Sequence, residues 1–313
     1  MTPASTPIEI IRDAPIKTWF GVGGRAERMA RPATTDELRA CIEIDPDALI
    51  LGDGANLLVD DGGVDRLVID LAAMNTVEID ASAGLVRTGL VRAGAGVRLP
   101  SLIGRTVAAG LGGLETLAGI PASVGGAAVM NAGGRFGDLA GVVERLHAVE
   151  RDGGGERTIE RDAIGYGYRT SGLRGLIVTA AELRLTPGDP AELRRRRAEC
   201  MSYKTSSQPL SAASAGCCFK NPLLDRDIDG VGAAGERAPA GLLIDRAGGK
   251  GLRVGGAEIS GEHANFIVTD RTARARDVIE LMDRVSELVR TAFDVALERE
   301  VVVWSRTAAE ITR

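Results

Sequence analysis

Aromatic side chains are scarce in this chain: two Trp, three Tyr and five Phe make up 3% of its 313 residues. So small a supply leaves few stacking platforms for single-stranded nucleic acid. Basic charge is not in excess either, since the formal net charge is −5. Neither nucleic acid nor an anionic membrane is therefore expected as a partner, although local arginine patches leave room for small phosphorylated ligands. The four cysteines, Cys41, Cys200, Cys217 and Cys218, show neither a disulfide framework nor zinc spacing. No metal is expected, and a reducing cytoplasm is the simplest compartment. Residues 1–12 contain no basic region followed by an apolar core, so no secretory signal is expected. The longest stretch of small apolar residues, 110–130, carries Glu115 and several glycines and does not read as membrane-spanning.

What the chain has in excess is glycine, with 41 residues against a usual share of ~7%. Glycine loses more backbone freedom on folding than any other residue, so such enrichment points to tight turns or to backbone lying close against something else. The rest of the composition, 44% hydrophobic and 26% charged, is that of a globular protein. The length admits about two domains at roughly 150 residues each.

Thr34-Thr35-Asp36-Glu37 has capping-box spacing and predicts a helix running through Leu38, Cys41 and Ile42. Residues 48–51 read as a short buried strand that stops at Gly52-Asp53-Gly54. Residues 57–59 and 67–71 read as further strands, separated by the turn Asp60-Asp61-Gly62-Gly63. Leu99, Leu102, Ile103 and Val107 fall at helical spacing, ahead of a glycine-rich run from Gly110 to Gly137. Strand signals return at 176–185, and Pro187-Gly188-Asp189-Pro190 then breaks the pattern, which places the domain boundary there: 1–187 and 188–313. A helix over 191–204 follows. Its run Arg194–Arg197 reads either as a solvated basic face or as a phosphate site. Val278, Leu281, Met282, Val285, Leu288, Val289 and Ala292 form one apolar stripe over 273–295, a packing helix. Residues 297–304 read as a closing strand. Helices and strands mixed in both halves predict an α+β architecture.

Several motifs could carry chemistry. Gly21-Val22-Gly23-Gly24-Arg25-Ala26 matches the GxGxxA dinucleotide pattern, but no clear strand feeds it and Arg31-Pro32 interrupts any helix after it, so a Rossmann site is not expected. Two other glycine-rich segments matter more because they occur together: 52–56 after a buried strand, and 118–126 followed by Met130-Asn131-Ala132-Gly133-Gly134. Small residues let successive N–H groups approach a pyrophosphate as an anion-binding nest, although each segment alone could be a set of turns. Arg169, flanked by Tyr168 in Gly165-Tyr166-Gly167-Tyr168-Arg169-Thr170-Ser171, could hold a carboxylate or phosphate in two-pronged fashion or make a structural ion pair. Cys217 and Cys218 in Ser214-Ala215-Gly216-Cys217-Cys218-Phe219-Lys220-Asn221-Pro222 point to opposite faces if that segment is extended, so at most one faces a site. The alternatives are buried apolar thiols or a vicinal disulfide. Glu300 enters a run of valines, where a carboxylate usually faces solvent.

Together these pieces resemble the UDP-N-acetylenolpyruvoylglucosamine reductase family. The matching stretches are 18–24, 51–59, 93–97, 117–137, 168–171, 208–222, 255–268 and 297–301, in the family's order, reaching from about residue 15 to about 305. The Ala-Gly-Ile-Pro…Gly-Gly…Met-Asn-Ala-Gly and Ser-Ala-Gly…Phe-Lys-Asn-Pro strings are jointly specific. The resemblance implies an FAD-binding domain of the vanillyl-alcohol-oxidase type, two α+β lobes meeting near residue 72, followed by a C-terminal α+β substrate-binding domain. It places FAD on Leu51, Gly52, Asp53, Gly54, Ala55 and Asn56, and on Gly119, Ile120, Pro121, Ser123, Gly125, Gly126 and Asn131. The catalytic trio would be Arg169, Cys217 and Glu300, with Tyr168, Lys220 and Asn221 near the substrate. That substrate would be UDP-N-acetylglucosamine enolpyruvate, reduced with electrons from NADPH by a cytoplasmic monomer.

The resemblance also assigns roles. Hydride goes to C3 of the enolpyruvyl group; Arg169 stabilises the charge that develops on C2 and its carboxylate; Glu300, if protonated, donates to that carboxylate; and a general acid protonates C2. The commoner family pattern has serine as that acid, and Cys217 stands in its place here. An ordinary thiol titrates near ~8.5 and is mostly protonated at neutral pH, so the exchange is chemically sound. Cys218 reads as core. The span from Ser171 to Ser214 is too short for the tyrosine-bearing insertion of the family's larger subclass, so the chain resembles the compact subclass. Two rival readings are an alcohol oxidase of the wider flavin superfamily, which needs neither the Cys217 string nor Glu300, and a flavin or UDP-sugar binder without turnover, in which loss of Arg169 or Glu300 would be expected.

Overall fold

The computed structural model describes residues 8–80, 89–153 and 155–306. The chain divides into two compact units, Met1–Ala14, Glu27–Asp53 and Arg66–Lys204 in the first, and Pro15–Ala26, Gly54–Asp65 and Thr205–Arg313 in the second.

The N-terminal part supplies β1 (Ile11–Pro15), β2 (Arg25–Ala30), α1 (Thr35–Ile44), β3 (Leu49–Leu51), β4 (Leu57–Val59) and β5 (Val64–Asp70). Four of these strands form a sheet in the order β1-β2-β5-β3, with β3 parallel to β5. Leu38, Cys41 and Ile42 of α1 are buried together with Ala30, Leu67 and Ile69, one small core of the first unit. Burial pushes the Cys41 thiol up to about 11, with Glu37 adding to the effect, so Cys41 behaves as a small apolar residue. The expected capping box forms by half. Thr34 Oγ1 accepts from Glu37 N at 3.2 Å, but the Glu37 carboxylate accepts from Ala33 N at 2.6 Å rather than from Thr34. The glutamate thus reaches one residue further back than the motif requires.

The first unit continues through β6 (Val77–Ile79), β7 (Leu90–Gly94), α2 (Leu99–Ala108), β8 (Leu111–Gly112), α3 (Val124–Met130), β9 (Gly133–Gly134), β10 (Gly137–Asp138), β11 (Val143–Glu150), β12 (Glu156–Glu160), β13 (Leu176–Arg184), β14 (Thr186–Pro187) and α4 (Pro190–Thr205). Its main sheet has the order β12-β11-β13-β7-β6. Leu99, Leu102, Ile103 and Val107, the stripe that predicts α2, are all buried against residues of that sheet in a second core. Two cores in one unit fit a two-lobed domain. The arginine run of α4 is mostly solvated: Arg195 pairs with Glu192 and Glu199, while Arg196 reaches the buried Glu115 at 3.2 Å.

Across this main sheet Arg92, Glu182, Arg145 and Glu160 stand opposite one another on β7, β13, β11 and β12. Arg92 and Arg145 lie 3.1 and 3.2 Å from the two Glu182 oxygens, and His147 Nε2 lies 2.8 Å from one of them. Burial works against the Glu182 charge, but the hydrogen bond with His147 and the charges of His147, Arg145 and Arg92 outweigh it and hold the carboxyl below the usual range. A depressed folded-state value means stability that is present above the unfolded carboxylate range and lost as pH falls through the folded value. Glu182→Gln should therefore lower stability by about 1–3 kcal/mol at pH 7. In urea melts of both proteins, the gap should close as the pH drops below the carboxylate range. A gap that persists at pH 3 would assign the loss to packing instead.

The second unit contains α5 (Ala240–Arg246), β15 (Arg253–Val254), β16 (Ala257–Ile259), β17 (Ile267–Thr269), α6 (Ala275–Phe293) and β18 (Val302–Trp304). β15, β16 and β17 form a sheet, and β18 pairs in parallel with β4. Val278, Leu281, Met282, Val285 and Val289 of α6 are fully buried in this unit's core. The stripe is narrower than its sequence pattern, because Leu288 and Ala292 instead line a shallow groove with Ala247 and Leu252. Asp61 accepts from Ala275 N at 2.9 Å and from Arg276 N at 3.2 Å, placing a carboxylate at the positive end of α6. The Asp60–Gly63 turn is thus also a helix cap. The GxGxxA segment leads into β2 at Arg25 and not into a helix, so the Rossmann pattern is a coincidence of turns. The closing strand is shorter than expected: β18 covers only Val302–Trp304. Before it, Glu300 N bonds to Cys218 O and then Val302 N to Asn56 O, so the chain changes partners at this point.

Candidate active site

In the first unit, β3 ends at Leu51 and the chain turns through Gly52 and Asp53. A Cβ on Gly52 would lie 2.5 Å from Ser123 Oγ, so the two glycine-rich segments singled out by sequence lie against each other. Ser123 caps α3, its hydroxyl accepting from Gly126 N at 3.2 Å. A helix inside the glycine-rich run is not visible in the sequence, because the glycine there has a tertiary reason: a Cβ on Gly125 would lie 2.8 Å from Ala95 Cβ. The first turn of α3 is internally satisfied, Val124 N and Gly125 N donating to Val97 O and Ala95 O. Gly125 and Gly126 therefore allow close approach, and donors are offered instead by the other segment. Among the described residues, Asp53 N, Gly54 N and Ala55 N have no carbonyl partner. Gly54 has φ +65°, and a Cβ there would strike Lys17 O. Free N–H groups and glycines that exclude any side chain form a cradle that fits the pyrophosphate of a dinucleotide cofactor. Gly119, with φ +78°, and Ile120 and Pro121 form the turn leading to Ser123.

Asn131 ends α3 in the left-handed conformation, φ 44°. Its side chain is committed within the protein, donating to Gly167 O at 3.1 Å and Asp138 Oδ2 at 3.3 Å and accepting from Ala140 N at 3.0 Å. It thereby ties the helix to the next motif. Gly167 and Thr170 close a tight turn with Tyr168 and Arg169 at its tip, and Ser171 Oγ donates to Val129 O at 2.8 Å. Arg169 lies over the Tyr168 ring, 5.2 Å from its centroid. Its φ of 58° is left-handed, a conformation uncommon outside glycine and costing about 1–2 kcal/mol. Such strain is retained where surrounding structure dictates the backbone, often at functional sites.

The second unit holds Cys217 and Glu300. Segment 217–220 lies between two others: Cys218 N donates to Asn265 O, and Glu300 N donates to Cys218 O, both at 2.8 Å. The Asn265 side chain clamps Phe219, accepting from its N–H at 2.9 Å and donating to its carbonyl at 2.8 Å. Neither cysteine is in a disulfide, which excludes the vicinal pairing. Cys218 is buried in the unit's core, and burial pushes its thiol up to about 12. Cys217, its neighbour, is only half-buried. Asn56 Nδ2 donates to Glu300 O at 2.9 Å, so the last residue of the first glycine-rich segment fixes the backbone of the glutamate. Lys220 pairs with Glu298 at 2.6 Å. Asn221 Oδ1 accepts from Ala240 N at 3.0 Å, capping the start of α5. Both side chains are thus engaged in holding the segment in place.

Lys204, the penultimate residue of α4, is a candidate that sequence reasoning passed over. It is buried, and a Cβ on Gly119 would lie 2.8 Å from its Cδ and 3.7 Å from its Nζ. A cation beside a glycine turn suits a phosphorylated ligand. The only signal was its position at the end of a helix whose arginines dominated the reading.

Residues 208–304 match the profile of the UDP-N-acetylenolpyruvoylglucosamine reductase C-terminal domain, and residues 26–158 that of an FAD binding domain. A UDP-N-acetylenolpyruvoylglucosamine reductase of Synechococcus sp. strain CC9605 is 39% identical over 298 residues, 93% of each chain. One from Moorella thermoacetica is 38% identical over 305 residues, 95% of this chain and 94% of the relative. The crystal structure of the enzyme of that name from Thermus caldophilus superposes with a TM-score of 0.77 at 39% identity, over 96% of this chain and 99% of the other.

Proposed function

The chain belongs to the UDP-N-acetylenolpyruvoylglucosamine reductase family, and from that premise we propose that it reduces the enolpyruvyl ether of UDP-N-acetylglucosamine with electrons from NADPH, making UDP-N-acetylmuramate for peptidoglycan. FAD, when bound, relays hydride from NADPH to C3 of the enolpyruvyl group. Its pyrophosphate is assigned to the cradle of residues 51–56, with 119–126 lying alongside and Lys204 supplying positive charge. The flavin-binding domain is assigned to 1–187, its lobes dividing near residue 72, and the substrate-binding domain to 188–313, with Lys204 reaching back beside Gly119 from the helix that follows the boundary.

The chain's own residues then handle charge and proton. Arg169 offers a planar pair of donors to the carboxylate on which enolate charge accumulates. Glu300 in its protonated form donates to the same carboxylate, its backbone held by Cys218 and Asn56. Cys217 delivers its proton to C2. The observation that carries this assignment is the contrast within one segment: Cys218 is sealed in the core, while Cys217 is only half-buried on the same clamped backbone. No described helix is long and apolar enough to cross a membrane. The reading is of a cytoplasmic monomer that engages neither nucleic acid nor membrane.

An anaerobic absorbance trace tests this function. The purified protein should be yellow, bleach with NADPH and recover its colour only when UDP-N-acetylglucosamine enolpyruvate is added. Bleaching without recovery would discard the substrate. Recovery with oxygen and an alcohol-driven bleach would favour an oxidase. A colourless protein that takes up no FAD would end the reading altogether.

A further inference from the structure

A carboxylate sits inside the anion cradle, where pyrophosphate binding alone gives it no purpose. The Asp53 side chain is only 13% exposed, and its Oδ1 lies 3.5 Å from Arg98 Nε, beyond good hydrogen-bond length. Its Oδ2 is buried and has no hydrogen-bond partner among the described residues. A buried charged acceptor left without a donor is unfavourable, so such an atom points to a donor that arrives with a ligand. Phosphate oxygens only accept, and facing them a carboxylate would repel. The donors that flank the pyrophosphate of FAD are the hydroxyls of the ribityl chain on one side and of the adenosine ribose on the other.

We propose that Asp53 Oδ2 accepts a hydrogen bond from a sugar hydroxyl next to the pyrophosphate of bound FAD, which makes it a recognition residue for the cofactor. The proposal rests on the FAD reading above. Arg98 makes the arrangement tolerable. It precedes α2, pairs with Ser123 across a β-bridge, and so stands between the two glycine-rich segments with its charge beside Asp53. Its guanidinium offsets the carboxylate so that a diphosphate can bind nearby.

The test is flavin affinity, measured by fluorescence quenching on the full-length protein stripped of flavin, for the native chain, Asp53→Ala and Asp53→Asn. FAD affinity should fall by about 10- to 100-fold in Asp53→Ala, the range of a hydrogen bond to a charged acceptor. Asp53→Asn, which keeps an acceptor, should fall less. The same titrations with FMN separate the sources: an equal loss with FMN assigns the ribityl hydroxyls, and a loss confined to FAD assigns the ribose. Thermal melting of the stripped proteins supplies the control. Asp53→Ala should melt no lower than the native chain, because it removes the unsatisfied Oδ2 and leaves Arg98, which is 60% exposed, to be solvated by water. Unchanged or tighter FAD binding by Asp53→Ala, or a lower melting point of its stripped form, would overturn the proposal while leaving the FAD reading intact. A native chain that binds neither flavin would overturn both.

Discussion

Replacing Cys217 by alanine should leave reduction of the bound flavin by NADPH at its native rate and slow reoxidation by the enolpyruvyl sugar by about 10²- to 10⁴-fold, the usual worth of a positioned general acid. The two half-reactions part because only the second needs a proton at C2. Stability should barely move, since Cys217 lies outside the apolar core that holds Cys218. The neighbouring pair supplies its own control. Cys218→Ala removes a buried sulfur and should lower stability by about 1 kcal/mol or more, with the flavin half-reactions little changed. Cys217→Ser should keep measurable turnover, because a hydroxyl on the same clamped backbone reaches the same atom. Stopped-flow absorbance of each half-reaction decides the matter. If Cys217→Ala reoxidises as fast as the native protein, the acid is another group. If Cys217→Ser binds FAD but never turns over, the surroundings are tuned to the thiol.

The second large effect is expected at Arg169, where activity and stability should diverge. Arg169→Gly removes the guanidinium and should cut substrate-driven reoxidation by about 10²- to 10³-fold, the range for losing a donor to a developing oxyanion. Glycine is at ease at a φ of 58°, so relief of backbone strain offsets the entropy that glycine adds to the unfolded chain. The melting temperature should therefore stay within a few degrees of the native value. Arg169→Lys keeps the charge but neither the fork nor the relief, and should be both slow and no more stable. Native turnover in Arg169→Gly would remove the arginine from the chemistry and leave its left-handed backbone without a functional reason.

The parts of this fold that were legible in the sequence are those whose cause is local. The stripes of α2 and α6 report burial at helical period, the Pro187–Pro190 break reports lost backbone donors, and the unequal burial of Cys217 and Cys218 accords with neighbours in an extended segment. The illegible parts have distant causes. Position 125 is glycine because Ala95 leaves no room for a Cβ, and the helix it sits in runs against glycine propensity. Asp61 looks like a turn residue, and it is one, but its carboxylate caps a helix that begins at Ala275. Glu300 reads as part of a valine strand because nothing nearby in sequence shows that Cys218 and Asn56 hold its backbone. In the candidate site the glycine-rich segments could be found from composition, whereas Lys204 and the unsatisfied oxygen of Asp53 show only when chain folds against chain.

The pairing of β4 with β18 joins Leu57–Val59 to Val302–Trp304, and the Asn56–Glu300 hydrogen bond beside it spans 244 residues. During synthesis the strand at 57–59 therefore emerges long before its partner exists, and its hydrogen-bonding edge must wait, unpaired, until residues 302–304 have been made. Contacts of such long sequence separation form late and slowly. The clamp around Cys217 and Glu300 is accordingly assembled late in folding, and a nascent chain stalled short of Val302 would hold both residues without the strand pairing that fixes them.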